Sequence, residues 1–300
     1  MSKYLSKKKP LRRSFLFCPA NKAKMFYTAP QLGADALIFD LEDSVPLHQK
    51  AQARDLLYFA LSELDFSHLS IFIRTNAIHT PFFLDDLEVV VKSGVQYLRP
   101  PMIECAQDIL YIDQQLSRLE EKYQRPIGSV EILATFETPK AIVMATEIIQ
   151  ASPRIMGITL GAEDFVRTLG VSRSDIALAH ARAQMVLLAS TFNIECIDTS
   201  YTKLDDDAGF LAEANDAFAL GFTGKSCLHP NQIYLLHQVW TPSTKDIEEA
   251  KRIMHIANQH DVISGGVLSL DGQMIDIPVI AKAMRILTLA GIEMKETSHE

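Results

Sequence analysis

The chain has 300 residues, 48% of them hydrophobic and 22% charged, with a formal net charge of −8. This composition excludes disordered and fibrous classes and allows one large core with an appendage. It also argues against a general nucleic-acid binder, which needs a basic face.

No apolar stretch approaches the roughly 20 residues of a membrane span. The basic cluster Lys7-Lys8-Lys9 with Arg12-Arg13 leads only into the short apolar piece 14–20, so no export signal is expected. Cys18, Cys105, Cys196 and Cys227 are scattered, and three of them fall in apolar runs, where a buried reduced thiol is the expected state. The chain reads as a cytoplasmic protein with no membrane or nucleic-acid partner.

Short β-branched or aromatic runs recur at 13–18, 35–40, 70–75, 95–99, 130–136, 155–160, 194–198 and 222–228. Helical periodicity fills 22–32, 48–63, 83–93, 106–122, 139–150, 174–192 and 206–220, with Pro139 at a helix start and Ser172 or Ser174 before another. Eight strands alternating with helices in about 240 residues predict a (β/α)₈ TIM barrel. The alternative, a doubly wound open sheet, would show a Gly-rich turn after the first strand, where this chain has CPANKAK.

After Val239 the pattern changes. Ser243 and Asp246 predict a capped helix to about residue 260, Gly265-Gly266 breaks the chain, VLSLDGQMI reads as a hairpin around Asp271-Gly272, and a last helix begins near Pro278. The expected domains are a barrel over 1–240 and a C-terminal arm or cap over 241–300, which reaches a neighbouring subunit.

In a barrel, catalytic groups collect where strands end and βα loops begin. Here those ends read Asp40-Leu41-Glu42-Asp43, Arg74-Thr75-Asn76, Glu137-Thr138, Gly161-Ala162-Glu163-Asp164 and Asp198. Any one such acid reads equally as a helix cap. As a set they make an acidic rim that repels itself unless a cation is present, and an oxygen-only donor set suits Mg²⁺.

Glu137 and Asp164 end adjacent strands and are the expected metal ligands. Strand alternation would send Glu163 to the other face. Arg74 reads as a clamp for an anionic oxygen or as the partner of Asp40, Glu42 or Asp43. Lys24, with Arg13 at the rim of strand one, could meet a phosphate, or Lys24 is a solvated helix charge. His229 reads as a structural loop residue.

The stretches RRSFLFCPANKAK, GADALIFDLEDSVPLHQKAQAR, IRTNA, FETPKAI, SPRIMGITLGAEDF, GFTGKSCLHPNQI and DGQMIDIPVI cover almost the whole chain. In them the sequence resembles the citrate lyase β-subunit-like family, which includes malyl-CoA and citramalyl-CoA lyases. The resemblance implies a (β/α)₈ barrel and a Mg²⁺-dependent carbon–carbon lyase. Such an enzyme cleaves a β-hydroxyacyl-CoA to acetyl-CoA and a 2-keto acid, in a homo-oligomer (trimer or hexamer) whose active sites are shared between subunits.

Position by position, the resemblance implies Glu137 and Asp164 as metal ligands, Arg74 as the substrate-binding arginine, and Asp40, Glu42 and Asp43 as supporting acids. Lys24 and the Cys227-Leu228 backbone match positions that meet the CoA moiety. Asp276 matches the catalytic acid/base that a neighbour's arm inserts; on its own, lying before Pro278, it reads as a helix cap. Many relatives carry a Leu-Pro-Lys-Val-Glu-like run after strand four, where this chain has Arg99-Pro100-Pro101-Met102-Ile103-Glu104, so Met102 occupies a lysine position. Alternatives to the acyl-CoA lyase are a citryl-thioester lyase subunit acting on an acyl-carrier protein, a free hydroxy-keto-acid aldolase, an acyl-CoA thioesterase and a non-catalytic assembly subunit.

Overall fold

The computed structural model describes residues 10–259, 268–270 and 273–292. β1 (Ser14–Pro19), β2 (Ala36–Asp40), β3 (Ser70–Arg74), β4 (Tyr97–Arg99), β5 (Glu131–Phe136), β6 (Ile155–Leu160), β7 (Glu195–Asp198) and β8 (Gly224–Cys227) form a closed barrel in chain order. Neighbouring strands are parallel, and β1 pairs with β8, Phe15 opposite Ser226. That closing pair removes the edges that an open doubly wound sheet would keep.

The outer helices are α1 (Ala23–Thr28), α2 (Lys50–Glu63), α3 (Phe83–Lys92), α4 (Ala106–Lys122), α5 (Pro139–Val143), α6 (Ala145–Gln150), α7 (Ala162–Leu169), α8 (Asp175–Phe192), α9 (Asp207–Leu220) and α10 (Pro230–Trp240). The helix expected over 139–150 is two, broken at Met144, whose φ −90° and ψ 6° leave the helical region. Two helices were not foreseen. α10 opens on Pro230, a favourable first helical residue, and α7 runs only eight residues before Gly170 ends it in a left-handed turn at φ 72°.

The barrel interior follows from strand alternation. Phe15, Ala36, Ile38, Phe72, Tyr97, Leu133, Met156 and Ile197 pack together inside, with Phe17 against them. Phe72 stacks on Tyr97 at 4.6 Å between ring centroids and meets Phe15 edge-on at 5.3 Å. At the N-terminal end Arg12 lies over Tyr97 at 4.7 Å and pairs with Glu195, closing the floor with a buried ion pair.

One step further along each strand, toward the C-terminal end, the inward positions turn polar: Asp40, Arg74, Arg99, Thr135, Thr159 and Ser226. Register places Asp40 beside Arg74, Arg74 beside Arg99, and Thr135 beside Thr159. The change from apolar floor to polar ceiling positions the site.

Two compact units are present, Arg12–Leu236 and a second made of the residues up to Leu11 and those from His237 on. The second contains α11 (Thr244–Gln259), the antiparallel strands β9 (Leu268–Leu270) and β10 (Gln273–Ile275), and α12 (Ile277–Leu289). Ser243 and Asp246 form the reciprocal cap expected for α11, with Asp246 N–H donating to Ser243 Oγ at 3.1 Å and Ser243 N–H to Asp246 Oδ2 at 3.2 Å. Leu270 pairs with Gln273, so a two-residue connection joins the strands; the expected turn residues Asp271 and Gly272 lie outside the described residues. The unit has its own core, in which Ile253, Met254 and Ala257 meet Ile275, Ile280 and Leu287. Among the described residues no helix is long and apolar enough to cross a membrane.

Candidate active site

Arg74 ends β3 beside Asp40 at the end of β2, and the two are locked together. Nε donates to Asp40 Oδ1 at 2.7 Å and Nη2 to Oδ2 at 2.8 Å, a bidentate pair. Nη1 adds Glu42 at 3.0 Å and Asp43 at 3.1 Å. Asp40 also accepts the backbone N–H groups of Glu42 at 2.9 Å and Ser44 at 3.1 Å. Burial would raise the Asp40 carboxyl, yet the charge and hydrogen bonds of Arg74 hold it below its ordinary value.

Arg74 therefore takes the internal ion-pair option, with three carboxylates on one guanidinium. Lys50, buried on α2, fixes the same loop by donating to the carbonyls of Leu41 and Glu42, each at 2.7 Å. Glu42 is pushed up to about 8 by burial, with the charges of Asp43, Glu137 and Asp40 adding to it and Arg74 opposing.

Glu137, just past β5, is 5% exposed. One carboxylate oxygen accepts the backbone N–H of Met102 at 2.6 Å. Met102 holds a left-handed φ of 54°, uncommon for a non-glycine residue. Gly161 packs so closely beneath Glu137 that a Cβ there would overlap the Glu137 carboxylate, so glycine is required by close approach. Burial pushes Glu137 up to about 7, the nearby charge of Asp164 adds to this, and Met102 opposes it.

Asp164 thus stands close enough to Glu137 to act on its ionisation, but not for the reason expected. Residues 162–164 are the first turn of α7, not the end of β6, with Gly161 as N-cap. At about 100° per residue, helical geometry rather than strand alternation separates the two acids. Glu163 turns away to Arg173 at 2.7 Å, while Asp164 pairs with Arg167 one turn on at 2.5 Å. Among the described residues no three His, Cys, Asp or Glu side chains gather into a ready-made metal cage. Two carboxylates suit a hard divalent ion that keeps several of its waters.

Other expected members of the rim lie elsewhere. Asp198 is withdrawn into a buried network, accepting from Arg182 at 3.0 Å and from Lys225 Nζ at 2.8 Å. Lys225 also reaches Glu213 at 2.6 Å and the Thr199 carbonyl at 2.7 Å. Arg13 precedes β1 and is paired with Asp35 at 2.8 Å, so it sits at the opposite end of the barrel from a rim phosphate site. Lys24 is exposed on α1. Cys227 is fully buried at the end of β8, and the Leu228 N–H donates to Gln232 Oε1 at 2.8 Å. His229 is an exposed loop residue whose Nδ1 accepts from the Asn231 N–H at 3.2 Å. Asp276 is the N-cap of α12, its side chain accepting from Val279 N–H at 3.2 Å.

Arg99 is the site residue that strand-end reading did not single out. It is 4% exposed, lies 4.7 Å from the centroid of the Phe17 ring that Arg74 approaches at 5.0 Å, and donates from Nη1 to Ser226 Oγ at 3.3 Å. Burial and the like charge of Arg74 pull its pKa down to about 9, against the carboxylates of Glu137, Asp40 and Glu42. It remains a cation at neutral pH, but among the described residues it has no paired anion.

The arrangement is a buried carboxyl, Glu137, with the part-exposed Asp164 near it and two guanidiniums beside them, at the barrel end where loops admit ligands. Comparison with known proteins agrees. The chain is 40% identical over 288 residues to the citrate lyase subunit beta of Haemophilus influenzae, covering 95% of this chain and 99% of the relative. It is 28% identical over 292 residues to the mitochondrial citramalyl-CoA lyase of Homo sapiens, covering 93% and 85%. Among solved structures it superposes with a TM-score of 0.74 on CitE of Mycobacterium tuberculosis in complex with magnesium, acetoacetate and coenzyme A, at 31% identity, covering 94% of this chain and 98% of that one. The sequence profile described as HpcH/HpaI aldolase/citrate lyase matches residues 13–230, and the chain belongs to that family.

Proposed function

We propose that the protein is a Mg²⁺-dependent carbon–carbon lyase that cleaves a β-hydroxyacyl thioester into an acetyl thioester and a 2-keto acid, or runs the reverse condensation. The observation that carries this reading is the Glu137–Asp164 pair: Glu137 is buried, and the charge of the part-exposed Asp164, itself paired with Arg167, helps push its carboxyl up, a repulsion that a cation would relieve. Its donor set of carboxylate oxygens fits Mg²⁺, the ion in the CitE complex. When bound there, a divalent ion draws charge from the hydroxyl and carboxylate oxygens of a substrate.

The chain's own residues do the rest. Arg74, held by Asp40, Glu42 and Asp43, keeps those acids in place, its own charge more than balanced by theirs. In the cleavage direction the bond between the carbinol carbon and the thioester α-carbon breaks. Its electron pair remains on the α-carbon while the carbinol hydroxyl gives up its proton and becomes the keto carbonyl, and Asp276, as the acid/base, returns one proton to the α-carbon to complete the acetyl group. Asp276 belongs to the second compact unit, and we assign it to the site of a neighbouring copy in a homo-oligomer. Lys24 and the Cys227–Leu228 backbone are assigned to the thioester carrier.

A substrate panel tests this reading. Citryl-, citramalyl-, malyl- and methylmalyl-CoA, with and without Mg²⁺, are scored by keto acid released. Mg²⁺-dependent release from at least one is expected. Thioester hydrolysis without carbon–carbon cleavage, or cleavage that survives chelation of the metal, refutes it.

A further inference from the structure

A charge network lies between β7 and β8, outside the cluster of Arg74, Arg99 and Glu137. Lys225 and Asp198 are register partners on those strands, and both side chains are fully buried. Lys225 directs its three N–H donors to Asp198 Oδ2 at 2.8 Å, the Thr199 carbonyl at 2.7 Å and Glu213 Oε1 at 2.6 Å. Arg182 closes on Asp198 from α8 with two bonds of 3.0 Å, and Arg173 reaches from Glu213 to Glu163 on α7. The acids Asp198, Glu213 and Glu163 thus balance the bases Lys225, Arg182 and Arg173, and the network is complete without a ligand. Desolvating such charges costs much of what their attraction returns, so stability alone is a weak reason for the network and fixed geometry a better one.

That geometry leads to one place. Gly161, the N-cap of α7, has no side chain to accept the first amide of the helix, and the Ala162 N–H donates instead to Thr199 Oγ1 at 3.3 Å. Glu163, the next residue, is tied to Arg173 at 2.7 Å, and a second nitrogen of Arg173 holds Glu213 at 3.0 Å. Both ties run back to Lys225, one through the main chain of Thr199 and one through Glu213. Residue 164 completes the same turn. Among the described residues the ion pair of Asp164 is with Arg167 on its own helix, so the place of Asp164 relative to Glu137 follows from where the turn is held.

We propose that Lys225 is a positioning residue for Asp164. Acting through Thr199 on one side and through Glu213 and Arg173 on the other, it fixes the first turn of α7, and with it the spacing of Asp164 and Glu137 across which a divalent ion is held. The assignment rests on the reading of those two acids as metal ligands. The three donors of Lys225 are all engaged within the network, so it acts on the metal only through these ties.

Charge and position make opposite demands on Lys225 and Arg173, which gives the test its sign. Removing a cation near a Mg²⁺ site strengthens the site electrostatically, whereas loosening a ligand weakens it. Mg²⁺ affinity is measured by calorimetry on wild-type protein, Lys225→Met, Arg173→Met and Thr199→Val, with urea unfolding of each in EDTA alongside. Lys225→Met should bind Mg²⁺ about tenfold or more weakly, and Arg173→Met and Thr199→Val, each of which cuts one tie, about three- to tenfold more weakly. Thr199→Val removes the hydroxyl without changing the charge. A merely structural network would lower the urea midpoints and leave the affinity of the folded protein where it was. Wild-type protein that binds Mg²⁺ while any folded variant binds it as tightly or more tightly overturns the assignment and leaves the metal reading standing. Wild-type protein that does not bind Mg²⁺ overturns both. The two single-tie variants keep the Lys225–Asp198 pair, so they decide the test if Lys225→Met fails to fold.

Discussion

Replacing Glu137 by Gln should make the metal-free protein more stable while abolishing its response to Mg²⁺. The Glu137 carboxyl titrates near 7 instead of 4.5, and burial is the main cause. A carboxyl whose folded pKa is raised favours the folded state fully only below the unfolded value, and that contribution fades as pH climbs from about 4.5 to about 7. At about 1.4 kcal/mol per pH unit, the ionised carboxylate costs the metal-free fold on the order of 3 kcal/mol at pH 8 and about 1 kcal/mol at pH 5. Gln keeps an acceptor for the Met102 N–H without the charge, so a gain of about 1–3 kcal/mol is expected at pH 8, or roughly 3–10 °C in melting temperature. Circular dichroism melts in EDTA and in Mg²⁺, at pH 5 and pH 8, read both effects. Mg²⁺ should raise the wild-type melting temperature more at pH 8 than at pH 5 and leave Glu137→Gln unmoved. A variant that melts no higher than wild type in EDTA at pH 8, or that still responds to Mg²⁺, refutes the reasoning.

The same ionisation predicts that Mg²⁺ affinity rises about tenfold per pH unit below 7 and levels off above it, as measured by calorimetry at fixed ionic strength. Gly161→Ala should push the Glu137 carboxylate aside and weaken Mg²⁺ binding by about tenfold or more, with the barrel's circular dichroism unchanged. Arg74→Ala leaves Asp40 as a buried unpaired charge and should cost about 3–5 kcal/mol in urea unfolding, whereas Arg74→Lys, which cannot make the bidentate pair, should cost less. Asp276→Ala should lose about 10² or more in turnover while keeping Mg²⁺ binding. If Asp276 serves a neighbour's site, hetero-oligomers of Asp276→Ala with Glu137→Gln should recover activity that neither variant shows alone.

The barrel was legible because its signal is local. Apolar runs such as ALIFD and ILATF are buried on both faces, and an acid, Asp40 or Glu137, stands at or just past the end of each. That Glu137 and Asp164 would come near one another was also legible, although Asp164 reaches its place from the first turn of a helix that the strand reading had overrun. What escaped were pairings made through space. Asp198 looks like Asp40 in sequence, but Lys225 and Arg182 neutralise it from 27 and 16 residues away. Arg13 looks like a rim cation until its strand is given a direction and Asp35 a place. Arg99 sits in a three-residue strand, and only closure of the barrel makes it an interior cation.

Met102 reaches Glu137 through its main chain, and this divides the work of the loop after β4. An amide hydrogen is present whatever side chain the residue carries, so the acid's support is indifferent to the identity of position 102 and depends only on the left-handed turn there. The side chain is thereby released to vary. Methionine here can tune what approaches the mouth of the barrel without loosening the acid beneath it.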